Sequence, residues 1–248
     1  MHAIERRRVI LNFINEHESA TTAELSALTN SSIATVRRDL TVMNQDGTVM
    51  KTHGGAKKIQ ESDIPIPCVR EKNAIAKIAA NLIHPGEHIF IGSGKTCTAL
   101  ARGLKDKNDL RISTTSINVV AECSGQSGNS VFLLGGNVNY GASTIETLGD
   151  YTFEILSRMY FDKTFFTIDG ADIKSGYSIV NRSQIPLYEH LIKSCKECYL
   201  LADHFKFGKR SYAQLCGLSG IPNVITDSRI GAEYLHYYQT HGIRVMIH

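Results

Sequence analysis

No apolar run in this 248-residue chain approaches the eighteen or so residues that a membrane helix needs, and its first residues are charged rather than signal-like. A cytoplasmic protein with no membrane partner is expected. Neither charge sign dominates: residues 1–58 carry eight Lys or Arg against six Asp or Glu, and the remainder nineteen against eighteen. Any attraction to nucleic acid must therefore sit on a few side chains and weaken with salt. The six cysteines are scattered in a chain long enough to build a core without staples, so reduced thiols are expected. Cys195-Lys196-Glu197-Cys198 lacks the second pair or clustered histidines that a zinc site needs, and no H-E-x-x-H occurs, so neither metal nor cofactor is expected.

What is present begins with Ser31-Ser32-Ile33-Ala34-Thr35-Val36-Arg37-Arg38-Asp39-Leu40. Ser31 or Ser32 can accept from the orphan amides that open a helix, and Ile33, Val36 and Leu40 fall at spacings that line one buried face. Arg37, Arg38 and Thr35 are then left to meet something anionic. Upstream, Val9, Ile10, Phe13 and Ile14 mark a first helix; Thr21 and Glu24 have capping-box spacing ahead of a short second helix that ends near Asn30. Downstream, Gly47 is expected to end the third helix, and residues 48–56 read as two short strands around a glycine turn, with Lys51 and His53 as the polar side chains of a wing. Three helices and a wing within sixty residues predict a winged helix-turn-helix whose third helix enters the major groove of double-stranded DNA. Arginine grips guanine edges or phosphate with a planar fork, and threonine can touch a thymine methyl or a phosphate. Which arginine reads bases stays open, and a small helical bundle that meets another protein is the plainer alternative.

Glu5-Arg6-Arg7, Ser32-x-x-Thr35-Val36-Arg37-Arg38-Asp39-Leu40, Gly47 and His53-Gly54-Gly55-Ala56 resemble the signature of DeoR-type bacterial transcription regulators. The resemblance implies an N-terminal operator-binding domain and a C-terminal sensor domain that answers to a phosphorylated sugar or similar metabolite.

Residues 58–70 mix charge with two prolines and read as a linker between residues 1–57 and a second domain at 71–248. Beyond it, apolar strand-like runs at 88–91, 110–113, 130–134, 163–168, 198–202, 223–226 and 243–247 alternate with helical stretches. The fold class is therefore α/β, with a mostly parallel sheet whose ligand site belongs at the carboxyl ends of its strands. Five loops there attract attention. Gly92-Ser93-Gly94-Lys95-Thr96 opens a helix and suits an anion, though a convenient tight turn is the plain alternative. It is no Walker loop, because the first glycine would have to stand at Ile89. Thr114-Thr115-Ser116 offers hydroxyls, which an ordinary N-cap explains nearly as well. Gly135-Gly136 allows close backbone approach; Asp169 and Asp172 supply carboxylates for sugar hydroxyls or for base chemistry; Lys206 supplies a cation.

These loops are similar to the DeoR sensor domain, which resembles ribose-5-phosphate isomerases and coenzyme A transferases in fold. The resemblance implies that residues 92–96, 114–116 and Lys206 hold the effector's phosphate while Asp169 and Asp172 face its polar body. Lys95 stands where the family usually has Ser or Thr, Thr115 where Asn is usual, and Phe205 where a Ser precedes the lysine. Lys95 then either adds a cation to the phosphate site or points to solvent. Two-fold operators imply a homo-oligomer, dimer or tetramer, assembled through the C-terminal domain. Asp169-Gly170-Ala171-Asp172 is also the isomerase aspartate motif, so a sugar-phosphate isomerase-like enzyme is the alternative; no catalytic residue is assigned, because Ile173 replaces the next acid of that pattern.

Overall fold

The computed structural model describes residues 3–45, 48–58, 69–125, 128–141 and 144–248, in two units, Met1–Ile66 and Pro67–His248. The first unit contains α1 (Ala3–His17), β1 (Ser19–Thr21), α2 (Thr22–Thr29), α3 (Ile33–Gln45), β2 (Met50–Lys51) and β3 (Gly55–Lys57). Thr21 caps α2 reciprocally with Glu24, and Asn30 closes it in the left-handed region at φ 47°. Ile10, Ile14, Leu25, Val36, Leu40, Met43 and Val49 form its core. Ile33 departs from expectation and is 45% exposed. The buried stripe of α3 runs through Val36, Asp39, Leu40 and Met43, and it stops short of the helix start, where Ser32, Ile33 and Ala34 are all exposed.

The wing is a three-stranded sheet in the order β1-β3-β2, to which residues 19–21 add a strand not read from the sequence. A Cβ on Gly55 would lie 2.0 Å from the Ala20 carbonyl oxygen, so this close approach requires glycine. Gly47 and most of the expected linker, residues 59–68, lie outside the described residues, as does Cys68. Where 69–70 are described they are already helical.

The second unit runs α4 (Val69–Asn81), β4 (His88–Ile91), α5 (Lys95–Arg102), β5 (Arg111–Thr114), α6 (Ile117–Cys123) and β6 (Ser130–Leu133). It continues through β7 (Asn137–Tyr140), β8 (Ile145–Leu148), α7 (Asp150–Leu156), β9 (Phe161–Phe166), β10 (Gly170–Asp172) and β11 (Gly176–Ile179). The last elements are α8 (Ile185–Ser194), β12 (Cys195–Leu201), β13 (Ala213–Cys216), β14 (Asn223–Thr226), α9 (Ala232–Thr240) and β15 (Arg244–Ile247). Seven strands form one sheet in the order β15-β14-β12-β9-β4-β5-β6, every pair parallel.

Successive residues of the central strands serve opposite cores. Ile89, Ile91, Phe165, Tyr199, Leu201 and Ile225 pack with the apolar sides of α4, α5 and α6. Phe90, Phe166, Leu200 and Val224 pack with Leu156, Leu187, Leu191 and Tyr238 on the other face. Burial on both faces is why these strands read as continuous apolar runs. A hairpin of β7 and β8 and a small antiparallel sheet of β10, β11 and β13 complete the unit. No described helix is long and apolar enough to cross a membrane.

Candidate functional site

Two surfaces carry candidate chemistry, one in each unit. On α3, Val36 and Leu40 point inward, Ala34, Arg37 and Arg38 are exposed on the opposite side, and Thr41 is half-buried. Ser32 is the residue that caps this helix, its Oγ accepting from the Thr35 amide at 3.2 Å and lying 2.9 Å from the Thr35 hydroxyl. Ser31 instead builds the turn, donating to the Thr29 carbonyl and accepting from Ser26 through its own carbonyl. Lys51 ties the wing to α3: its amide donates to Asn44 Oδ1 at 2.9 Å and its Nζ to Thr41 Oγ1 at 3.0 Å. His53 is exposed nearby in the chain, at the wing turn.

Asp39, on the inner side of α3, orients the helix. It is 2% exposed and receives Arg6 Nε at 2.5 Å and Arg7 Nε at 2.9 Å from α1. Burial pushes its carboxyl up, but the hydrogen bonds from Arg6 and Arg7 outweigh burial and hold it below the usual range. Two arginines near the start of the chain therefore brace the helix from behind, which leaves Arg37 and Arg38 as its outward cations.

The second unit holds a cavity of about 710 Å³ at the carboxyl ends of β4, β9 and β12, three neighbours in the middle of the parallel sheet. Ser93, Gly94, Lys95, Thr96, Asp169 and Lys206 line it, as expected from the sequence. Gly94 begins α5 at φ 127°, and no side chain caps this helix, so its first amides are open to an anion. The Thr167 hydroxyl donates to the Ser93 carbonyl at 3.1 Å and locks the ends of β4 and β9 together. A Cβ on Gly94 would meet that hydroxyl at 2.6 Å. Gly94→Ala is expected to cost about 2 kcal/mol through backbone strain and this clash. Denaturant titration checks it, and an unchanged midpoint would show that Thr167 yields freely. Lys206 Nζ stands 3.7 Å from Asp169 Oδ1, and Asp169 Oδ2 accepts from the Val180 amide at 2.8 Å.

The other expected effector residues lie outside this cavity, each for a visible reason. Thr114, Thr115 and Ser116 are wholly buried. The Thr114 hydroxyl donates to the Ile91 carbonyl, Ser116 caps α6 by accepting from Val119, and the Thr115 carbonyl receives the Thr147 amide at 2.8 Å. This loop holds β8 in place. Gly135 gives its carbonyl to the Thr152 hydroxyl, and a Cβ on Gly136 would lie 2.2 Å from Thr152 Oγ1, so Gly136 admits α7. Gly92 is buried with its amide on Phe165; a Cβ there would press on Phe166 at 3.0 Å. Asp172 closes its own turn, accepting from the Ser175 hydroxyl and the Ser175 and Lys174 amides, and these bonds hold its carboxyl low.

The cavity also gathers residues that loop reading missed, among them Lys72 of α4, Asn139, Glu146, Asn181, Gln184 and Tyr188. Lys72 pairs with buried Asp203 at 2.8 Å. Glu146 on β8 is 6% exposed, and burial pushes its carboxyl up against the lowering hydrogen bonds of Gln184, Asn181 and Ser93. No group of three His, Cys, Asp or Glu among the described residues could hold a metal ion.

Comparison with known proteins fits this two-unit layout. Residues 6–62 match the DeoR-like helix-turn-helix domain and residues 68–228 the DeoR C-terminal sensor domain. The HTH-type transcriptional repressor GlcR of Bacillus subtilis is 30% identical over 260 aligned positions, which cover 100% of this chain and 97% of that protein. The HTH-type transcriptional regulator GolR of Listeria innocua is 29% identical, covering 100% and 99%. The lactose phosphotransferase system repressor of Staphylococcus epidermidis is 30% identical, covering 92% and 93%. Among solved structures, ribose 5-phosphate isomerase A of Methanocaldococcus jannaschii aligns with a TM-score of 0.39 at 16% identity over 56% of this chain and 54% of that one, too slight a likeness to bear on function. A braced helix-turn-helix unit followed by a sensor unit, matched end to end by such regulators, makes this chain a member of the DeoR family of transcriptional regulators.

Proposed function

We propose that residues 1–57 bind double-stranded operator DNA through Ser32, Thr35, Arg37, Arg38, Lys51 and His53, and that a phosphorylated sugar bound by residues 71–248 controls that binding. The chain acts as a repressor of carbohydrate-metabolism genes in this reading. The observation that carries it is the cavity itself: an uncapped helix N-terminus at Gly94, flanked by Lys95 and Lys206, at the carboxyl ends of parallel strands. Relatives named for a lactose phosphotransferase system and for an aga operon support a sugar-derived effector. The repressor is an oligomer, since a two-fold operator presents two half-sites.

Effector binding changes DNA affinity only through a difference between two states, commonly worth about 1–3 kcal/mol. Lys72 is placed to report it: the residue lines the cavity from α4, the first described helix after the segment that leads out of the DNA-binding unit. Binding is expected without turnover, because Ile173 stands where the isomerase aspartate pattern has its next acid. A coupled isomerase assay that showed turnover lost in Asp169→Asn would overturn this point.

A thermal-shift panel of sugar phosphates tests the whole reading. At a hundred times its Kd, a ligand that binds only the folded state adds about 2.7 kcal/mol, or roughly 5–10 °C in Tm. Lys206→Ala is expected to weaken the responding ligand about tenfold, in line with the loss of one charged hydrogen bond. Silence across all phosphorylated sugars, with a response to an uncharged metabolite, would refute the phosphate site.

A further inference from the structure

The cavity contains a carboxyl group for which the phosphate site has no use. Glu146 stands on β8, almost entirely buried, and lines the same space as Gly94, Lys95 and Lys206. Its partners are all neutral. Gln184 Nε2 donates to Oε1 at 2.9 Å and to Oε2 at 3.0 Å, Asn181 Nδ2 donates to Oε1 at 3.4 Å, and the Ser93 hydroxyl adds a further hydrogen bond. Among the described residues no Lys, Arg or His forms an ion pair with it: Lys72 is committed to Asp203, and Lys206 stands beside Asp169. Asp169, whose charge also acts on it, is of the same sign.

Taking a carboxylate out of water without a counter-charge is disfavoured, and this one is nevertheless held in place by two amides. The position is not forced by the strand, since a neutral side chain on β8 could fill it without that cost. A ligand that brought its own cation would relieve the site, whereas one that offered only hydroxyls would leave the buried charge uncompensated. We propose that Glu146 is the specificity-determining residue of the cavity and that it pairs with an ammonium group of the ligand, so that the effector is an aminated sugar phosphate. The inference rests on the phosphate reading of the cavity: the α5 terminus, Lys95 and Lys206 take the anionic end, and Glu146 with Asn181 and Gln184 takes the cationic one. A zwitterionic ligand matches a cavity that carries both signs of charge, and discrimination against the neutral sugar comes from the carboxylate left unpaired.

Titration calorimetry of the full chain tests it, with glucosamine, galactosamine and mannosamine phosphates each set against the hydroxyl sugar phosphate of the same configuration, and with inorganic phosphate. At least one amino sugar phosphate is expected to bind about tenfold or more tightly than its hydroxyl counterpart. E146Q, which keeps the shape and removes the charge, is expected to abolish that preference by weakening the amine-bearing ligand. If no amino sugar phosphate outbinds its counterpart, or if E146Q weakens both members of a pair equally, the amine inference fails while the phosphate reading stands. Absence of binding by every phosphorylated compound, inorganic phosphate included, overturns both. The comparison within each pair on the unmodified protein decides the matter even if E146Q does not fold.

Discussion

Asp39→Ala is expected to destabilise the N-terminal unit by about 3 kcal/mol, the lower end of the range for removing one partner of a buried ion pair. The lower end applies because Arg7 keeps a third of its side chain in solvent, whereas Arg6 keeps only 12% and is left with an uncompensated charge. The loss is local. Amide hydrogen exchange should show α1 and α3 losing protection together while the parallel sheet of the second unit keeps its own, and operator binding should fall with them. The same carboxylate sets a pH dependence. Its pKa is held below the unfolded value of about 3.9, so its contribution is present above that value and is lost as pH falls through the folded pKa. Protection of α1 and α3 should therefore decline in acid below about pH 4, and Asp39→Asn should flatten that decline. Undiminished protection in Asp39→Ala would mean that the apolar seam of Ile10, Ile14, Val36 and Leu40 suffices to seat the helix.

Removing Arg37 and Arg38 should act on the opposite side of the same helix and leave its folding intact. Each substitution by alanine is expected to cost about 1–3 kcal/mol of operator affinity if the side chain grips a base edge, and less if it only neutralises phosphate. The double variant combines the two losses, subject to their coupling as neighbours. Salt titration separates the roles: loss of a phosphate contact lowers the dependence of log K on log salt by about one, whereas loss of a base contact relaxes sequence preference with little change in slope. Operator binding that survives in the double variant, with its salt dependence unaltered, would falsify the assignment of α3 as the reading helix. Asp39→Ala and this double variant thus lower operator binding by distinct routes, and only the first moves the unfolding transition.

The parts of the molecule most legible in the sequence are those in which one-dimensional pattern and burial coincide. The central strands of the large sheet end in apolar runs because Ile89 and Phe90, or Phe165 and Phe166, serve cores on opposite faces. The capping box of Thr21 and Glu24 is equally plain, since both groups it satisfies lie within one turn. The β7–β8 hairpin offers no such pattern: Asn137-Val138-Asn139-Tyr140 is largely exposed, and its pairing with residues 145–148 depends on the Thr115 carbonyl that receives Thr147. That is why Glu146 escaped notice. Its neighbours in sequence say nothing of the cavity, which it reaches only because β8 is pinned there.

Loop composition does not tell which loops line the cavity: residues 93–96, Asp169 and Lys206 do, and the other candidate loops do not. A glycine pair or a run of hydroxyls looks the same whether it faces a ligand or admits a neighbouring element. Gly136 makes room for Thr152 of α7, while Thr114 and Ser116 use their hydroxyls on β4 and α6 and the Thr115 carbonyl receives β8. Asp169 and Asp172 differ only by three positions, yet one meets Lys206 at the cavity and the other folds back on Ser175.

By itself the sequence determined the helices of the first unit, the strands of the large sheet, the α/β class and the outward arginines of α3, because helix and strand periods and caps are set by residues near one another in the chain. The tertiary structure alone decided which of the anion-friendly loops share a cavity and that a buried carboxyl joins them, because that choice is made by contacts between residues dozens of positions apart, such as Thr115 with Thr147 and Glu146 with Gln184.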